Sequence, residues 1–303
     1  MANVIAVIWD CDQTLVDGYM QDPIFRYYKV DAKAFWREVN ALPALYYKDQ
    51  GIRVNPETIY LNHFIHYAKS GKFQGLNNSM LYEFGKEMKF YPGVPDIFPK
   101  LTKLIEENPT YQDHDIKLEH YVISTGMKAI INGSAIVPYV DGIWGCELIE
   151  DDCNGERIIC ETGFTLDNTT KTRAIFEINK GVVKHPEIDV NAKVPEEKRR
   201  VRFENMIYIA DGPSDIPAFS LIHKNGGATF AVYPRGNDAA FKQVDQLRMD
   251  GRIDMYGEAD YREDTTTYMW LKRKITEKAD RIVEREKQDL ADAISETPKH
   301  LDH

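Results

Sequence analysis

Val4-Ile5-Ala6-Val7-Ile8-Trp9, running straight into Asp10-Cys11-Asp12-Gln13-Thr14, is the stretch on which the fold of this chain turns. Six consecutive apolar residues rich in Val and Ile read as a central parallel strand covered on both faces. In open α/β sheets, ligands bind beyond the carboxyl ends of such strands. Two carboxylates one residue apart at that point repel each other unless a cation or a shared proton relieves them. The stretch therefore predicts an α/β protein with a cation-dependent polar site at the end of its first strand.

Working outward, two more buried strands end in polar groups. Tyr121-Val122-Ile123 leads into Ser124-Thr125-Gly126, and Met206-Ile207-Tyr208-Ile209-Ala210 leads into Asp211-Gly212-Pro213-Ser214-Asp215. Ala228 to Val232 reads as a further strand. Cys146 to Ile149 and Arg157 to Cys160 flank Asn154-Gly155, a hairpin signal because both turn residues tolerate positive φ. Lys171 opens a helix running from about Thr170 to Asn179, ahead of Gly181. Lys180 and Lys184 lie close by and compete for the role of the site cation.

Between the first strand and Phe90 the pattern is helical throughout. Ile24, Tyr27, Tyr28, Phe35, Val39 and Leu42 recur at three- and four-residue spacing. Asn55-Pro56 reads as a cap with proline at the first helical position, and the helix carrying Ile59 to Ala68 stops at Gly71. Leu76, Met80, Leu81, Phe84 and Met88 mark one more helix. The expected division is a core of residues 1–16 and 91–265, a helical insertion of residues 17–90, and a C-terminal helix and tail from residue 266. From Glu284 that helix is mostly charged and is expected to fray or project. Residues 184–204 read as a surface excursion.

The bulk numbers narrow the class. The chain has 303 residues, 43% hydrophobic and 28% charged, with a formal net charge of −10, an ordinary globular composition with room for a large core. The acidic balance argues against a nucleic acid or an anionic membrane as partner. No apolar run approaches the roughly 20 residues that span a bilayer, and the start lacks a signal-peptide layout, so a cytoplasmic protein is expected. The four cysteines, Cys11, Cys146, Cys153 and Cys160, form no Cys-x-x-Cys pair, which leaves zinc unsupported. No phosphate-binding or dinucleotide glycine loop is present.

In order and placement these residues resemble the haloacid dehalogenase superfamily of phosphohydrolases. Asp10-Cys11-Asp12-Gln13-Thr14 matches its first motif, Ser124 the second, Lys171 the third and Asp211-Gly212-Pro213-Ser214-Asp215 the fourth. The helical insertion looks like that family's cap, and the hairpin and Ser-x-Gly segment are similar to its phosphoserine-phosphatase-like branch. The resemblance implies a Rossmann-like parallel sheet and a Mg²⁺-dependent phosphatase acting on a small-molecule phosphomonoester.

The roles it implies are specific. Asp10 would be the nucleophile and Asp12 the general acid and base. Lys171 would neutralise charge on the transferring group. Thr14, Ser124, Thr125 and Gly126 would hold phosphoryl oxygens. Mg²⁺ would sit among Asp10, the backbone carbonyl of Asp12, and Asp211. Asp215 would act either on the metal through water or by orienting Lys171. The presence of Asp12 favours phosphoester hydrolysis over dehalogenation, because a halide leaves without a proton. One departure stands out: Gln13 occupies a position where these enzymes often carry glycine.

Other readings explain less. An EF-hand loop beginning at Asp10 needs glycine at its sixth position and glutamate at its twelfth, where this chain has Leu15 and Gln21. A nucleotide-sugar transferase would use Asp10 and Asp12 but leave Asp211 and Asp215 without a task. A phosphotransferase would share every residue of the site, and a non-catalytic scaffold would be expected to lack Asp10 or Asp12. The tyrosines of the insertion, Tyr19, Tyr27, Tyr28, Tyr46, Tyr47, Tyr60, Tyr67, Tyr82 and Tyr91, read chiefly as packing between short helices, with a substrate-facing wall as the alternative. Arg26, Lys29, Lys48 and Arg53 are candidate contacts for an anionic substrate. His63 and His66, without a third ligand, read as structural.

Overall fold

The first strand, β1 (Asn3–Trp9), is buried along its whole length at the centre of a seven-stranded sheet. The computed structural model describes residues 3–153 and 155–295. Apolar side chains on both faces explain why β1 sits centrally: only helices on both sides satisfy such a strand. Its neighbours are β2 (Ile116–Met127) and β5 (Met206–Ala210), both parallel to it. β3 (Gly142–Cys153) and β4 (Glu156–Phe164) extend one edge, β6 (Ala228–Tyr233) and β7 (Met255–Glu258) the other. The order is β4-β3-β2-β1-β5-β6-β7, parallel except for the antiparallel β3–β4 pair. This is the α/β, Rossmann-like class the sequence predicts.

The segment after β1 is helical, with α1 (Asp22–Tyr28), α2 (Ala32–Gln50), α3 (Ile59–Lys69) and α4 (Asn78–Gly85). α5 (Ile97–Glu106) and α6 (Pro109–Asp113) lead to β2, and α7 (Lys128–Asn132) follows it. α8 (Lys171–Lys180), α9 (Ile216–Lys224), α10 (Asp238–Met249) and α11 (Thr266–Ser295) complete the chain. Phe25, Phe35, Phe64, Tyr67 and Phe73 fill the space among the inserted helices, with ring centroids 4.9–6.3 Å apart. That is the aromatic packing expected of short helices.

The insertion is tied closely to the sheet edge. The Ile159 amide on β4 donates to the Leu76 carbonyl at 2.9 Å. The Asn78 side chain donates to the Leu148 carbonyl at 2.9 Å. α4 and α7 meet backbone to backbone: a Cβ on Gly85 would lie 2.9 Å from Gly133 Cα, and one on Gly133 would lie 2.7 Å from the Tyr82 carbonyl carbon. Only glycine at both positions allows that approach.

Several local expectations are corrected. Asn55 does not cap α3; its side chain accepts from Glu57 one turn earlier, and the helix begins at Ile59. The stretch from Pro23 is two helices, and α2 carries Pro43 in its interior. β2 does not stop at Ser124 but continues to Met127, with its pairing to β3 shifting register between Ile123 and Met127. α11 does not fray at Glu284. Arg285 reaches Glu204 at 2.6 Å, and Glu286 accepts from Asn3 at 2.6 Å and pairs with His114 at 2.6 Å. β7 carries no sequence signal that separates it from a loop. Asn154, half of the turn signal between β3 and β4, lies outside the described residues.

Residues 184–204 are largely exposed and carry only short 3₁₀ turns. They return to the core where Asn179 and Val201 exchange hydrogen bonds of 2.7 and 3.2 Å. Cys146 and Cys153 lie on β3 and Cys160 on β4, all as free thiols. His63 pairs with Glu38 at 2.9 Å. No helix among the described residues is long and apolar enough to cross a membrane.

Candidate active site

Parallel pairing of β5, β1 and β2 brings their carboxyl ends side by side, and with them Asp211, Asp10 and Ser124. The Asp10 amide donates to the Ile209 carbonyl at 2.9 Å, which ties the acidic loop to β5. Beyond Asp10 the chain turns back on itself, with the Thr14, Leu15 and Val16 amides all directed at the Cys11 carbonyl. That turn requires φ of 56° at Gln13, in the left-handed region that glycine occupies most readily. Gln13 therefore holds this turn at some conformational cost.

Lys171, at the start of α8, is 1% exposed, and its ammonium donates to Asp10 at 2.9 Å and to Asp215 at 2.6 Å. Burial opposes that charge, but Asp10 and Asp215 outweigh it and hold the ammonium above its ordinary range. Asp215 also accepts from the Tyr208 hydroxyl at 2.6 Å and from the Ser214 hydroxyl at 2.8 Å. Of the two roles expected for Asp215, these bonds favour orienting Lys171. Lys180 and Lys184 are engaged elsewhere, Lys180 with the Val190 and Ala192 carbonyls and Lys184 with Asp141.

One oxygen each from Asp10, Asp211 and Asp215 lies within 4.8 Å of the others. Burial raises the carboxyls of Asp10, Asp211 and Asp12. Asp10 is pushed up to about 6, with Lys171 opposing and Asp215 adding to the rise. Asp211 is raised well above the usual carboxylate range by burial, Asp10 and Asp215. Asp12 is pushed up to about 8 by burial, against the Met20 amide that donates to it at 2.8 Å. The metal set the sequence predicts is Asp10, Asp211 and the backbone carbonyl of Asp12. The gathered carboxylates are Asp10, Asp211 and Asp215, and that of Asp12 is turned to the Met20 amide. Hard oxygens this close, gathered in a buried site, fit a small divalent cation such as Mg²⁺.

The residues expected to hold phosphate divide. Ser124 is buried and its Oγ accepts from the Gly126 amide at 3.0 Å, leaving its proton for another acceptor. The Thr125 carbonyl accepts from the Tyr60 hydroxyl at 2.8 Å and from the Cys146 thiol at 3.3 Å. Gly126 has no room for a Cβ because the Met20 side chain lies against it, and the Met20 sulfur accepts from the Met127 amide at 3.2 Å. Thr14 is buried, as Ser124 is. It is fully enclosed, its hydroxyl has no hydrogen-bond partner among the described residues, and its carbonyl accepts from Tyr261 at 2.7 Å.

Sequence reasoning missed Tyr208 and Met20 as contributors and placed Tyr60 only among the tyrosines of the insertion. Tyr208 carried a signal, because a tyrosine inside an apolar strand must place its hydroxyl on a partner. Met20 carried none, because the folding of the insertion alone brings it to the end of β2. Arg26, Lys29, Lys48 and Arg53 are all exposed, and Arg26 pairs with Glu87 at 3.2 Å. None of the site acids lines the cleft of about 490 Å³ at the β3 edge, whose walls include Lys128, Trp144, Glu147 and Glu177.

No family model matches the sequence. Over 287 residues the chain is 36% identical to an uncharacterized protein of Borreliella burgdorferi, covering 90% of this chain and 97% of that one. Among solved structures it is similar to a HAD family hydrolase from Salmonella enterica serovar Typhi, at 14% identity and a TM-score of 0.47, covering 80% of this chain and 65% of that one. It is also similar to a phospho-aspartyl intermediate analogue of phosphoserine phosphatase, at 16% identity and a TM-score of 0.47, covering 84% and 93%. A phosphatase predicted from Clostridium acetobutylicum is 15% identical, with a TM-score of 0.41 and coverage of 89% and 97%.

Proposed function

We propose that this chain, which belongs to one family with the Borreliella burgdorferi protein, is a haloacid-dehalogenase-type phosphatase acting on a small-molecule phosphomonoester. The observation that carries the reading is the buried Lys171 ammonium held between Asp10 and Asp215, beside the raised carboxyls of Asp211 and Asp12. In this reading residues 17–90 form a cap over a core of residues 1–16 and 91–265, and α11 packs on that core.

Asp10 attacks phosphorus, forming a P–O bond as the bond to the leaving alcohol breaks. Asp12, protonated up to about pH 8, gives its proton to the leaving oxygen. As a carboxylate it then takes a proton from water, whose oxygen attacks phosphorus and frees Asp10 and inorganic phosphate. Lys171 opposes the charge on the transferring group and keeps Asp10 oriented. Ser124 donates its proton to a phosphoryl oxygen. Mg²⁺, held by Asp10 and Asp211 with the Asp12 carbonyl, would supply further positive charge for the phosphoryl group when bound.

The test is phosphate release from a panel of phosphomonoesters, with Mg²⁺ and with chelator, for wild type beside Asp10→Asn. Release that needs the metal and disappears in Asp10→Asn supports the reading. Undiminished release from the variant sinks it. Phosphate appearing on an added alcohol instead of in solution would point to transfer.

A further inference from the structure

Tyr208 stands in the middle of β5, paired with Ile8 of β1 on one side and Thr229 of β6 on the other, and it is fully buried. Its ring packs edge-on against Phe219 of α9 at 5.5 Å, so strand and helix together fix the direction of its hydroxyl. That hydroxyl donates to Oδ1 of Asp215 at 2.6 Å, the same oxygen to which Lys171 donates at 2.6 Å. Burial and the charges of Asp215 and Asp10 raise the phenol well above its ordinary range, so it keeps the proton it donates. Ser214 donates to the other oxygen, Oδ2, at 2.8 Å.

Donors and acceptors set the two oxygens apart. A carboxylate oxygen offers about two lone pairs and an ammonium about three protons. Both lone pairs of Asp215 Oδ1 are taken, by Tyr208 and by Lys171. Two protons of the Lys171 ammonium are taken as well, by Asp215 Oδ1 and by Asp10 Oδ1 at 2.9 Å. With those two directions fixed, a tetrahedral nitrogen leaves its remaining proton a single direction. The filled Oδ1 also keeps Asp215 from closing on a cation with both oxygens, although one of its oxygens lies within 4.8 Å of those from Asp10 and Asp211.

We propose that Tyr208 is a positioning residue: its hydroxyl commits Asp215 to the Lys171 ammonium rather than to the divalent cation, and so holds the remaining ammonium proton toward the transferring phosphoryl group. The phosphoryl half of this rests on the phosphatase reading above. The commitment of Asp215 to Lys171 does not.

The test compares the full-length wild type with Tyr208→Phe, which keeps the ring on Phe219 and removes one oxygen, and with Ser214→Ala. Lysine ammonium protons in water exchange too fast for NMR, whereas those of a buried, bonded ammonium are protected. Isotope-labelled lysine therefore reads Lys171 directly, its signal assigned by its loss in Lys171→Arg. We expect Tyr208→Phe to speed that exchange about tenfold, and Ser214→Ala, which touches the oxygen Lys171 does not bond, to change it less than about twofold. Mg²⁺ binding by calorimetry should be as tight in Tyr208→Phe as in wild type, or up to about threefold tighter, because Asp215 Oδ1 gains a free lone pair for a cation. With p-nitrophenyl phosphate as probe, kcat should fall about thirtyfold while KM changes less than about threefold. No protected Lys171 signal in wild type, equal exchange in both variants, weaker Mg²⁺ binding or an unchanged kcat in Tyr208→Phe would overturn the role of Tyr208. The expected exchange and Mg²⁺ results with no phosphate release by wild type would count against the phosphatase reading alone.

Discussion

The Lys171 ammonium lies 2.6 Å from the carboxylate of Asp215, and both side chains are enclosed by protein. Neither charge has water to fall back on, so each depends on the other and on Asp10. Removing one partner of a buried pair typically costs about 3–5 kcal/mol, because the remaining charge stays buried and unpaired. Lys171→Ala should therefore lower the melting temperature by about 5 °C or more and abolish turnover. Calorimetry together with phosphate release checks this. A variant that melted like wild type would show that the ammonium is not held as described.

Asp10→Asn should behave differently. It keeps an acceptor for Lys171 and removes one of the crowded acids, so folding should be retained, with a melting temperature within a few degrees of wild type or above it. Turnover should vanish. A circular-dichroism melt beside the phosphate assay separates loss of chemistry from loss of fold.

The raised carboxyls make a pH prediction whose sign is fixed. A carboxyl raised in the folded state is favoured in its protonated form, so its stabilising contribution is present at low pH and lost as pH rises. For Asp10 and Asp12 the loss runs from near 4 through about 6 and about 8 respectively. Metal-free protein should lose stability across that window, and Mg²⁺ should restore it by supplying the missing positive charge. The gain in melting temperature on adding Mg²⁺ should be larger at pH 8 than at pH 6. An equal gain at both would argue that the cation binds away from these acids.

Gln13 offers a test of conformational cost. Its φ of 56° lies where a β-carbon is disfavoured and glycine is not. Gln13→Gly should leave the turn intact and change stability by no more than about 1 kcal/mol, since the relief of strain is offset by the freer unfolded chain. Chemical denaturation measures the difference. A loss well above that figure would mean that the glutamine side chain supports the loop.

Much of this was legible in the sequence because the signals were local. Val4 to Trp9 could only be a strand covered on both faces, and the acids after it and after Ala210 were then brought together by parallel pairing. Lys171 was legible from its place at a helix start. What escaped depends on contacts distant in the chain. Met255 to Glu258 is a short edge strand with a glycine in it, too brief for a periodicity to emerge. Thr14 matched a motif, yet its burial depends on how residues 89–93 and Tyr261 close over the loop. Tyr19, Trp36 and Tyr60 come from three separate parts of the insertion, and no spacing in the sequence announces that their rings meet.

The glycine contact between α4 and α7 also constrains motion. Two backbones touching without intervening side chains, laced further by the Leu76–Ile159 hydrogen bond, leave little to slide over and little to pivot on. The insertion is thus clamped at one end, and a swing of all four helices would have to break that clamp. Tyr19, which follows the acidic turn and is half exposed, lies outside that clamp.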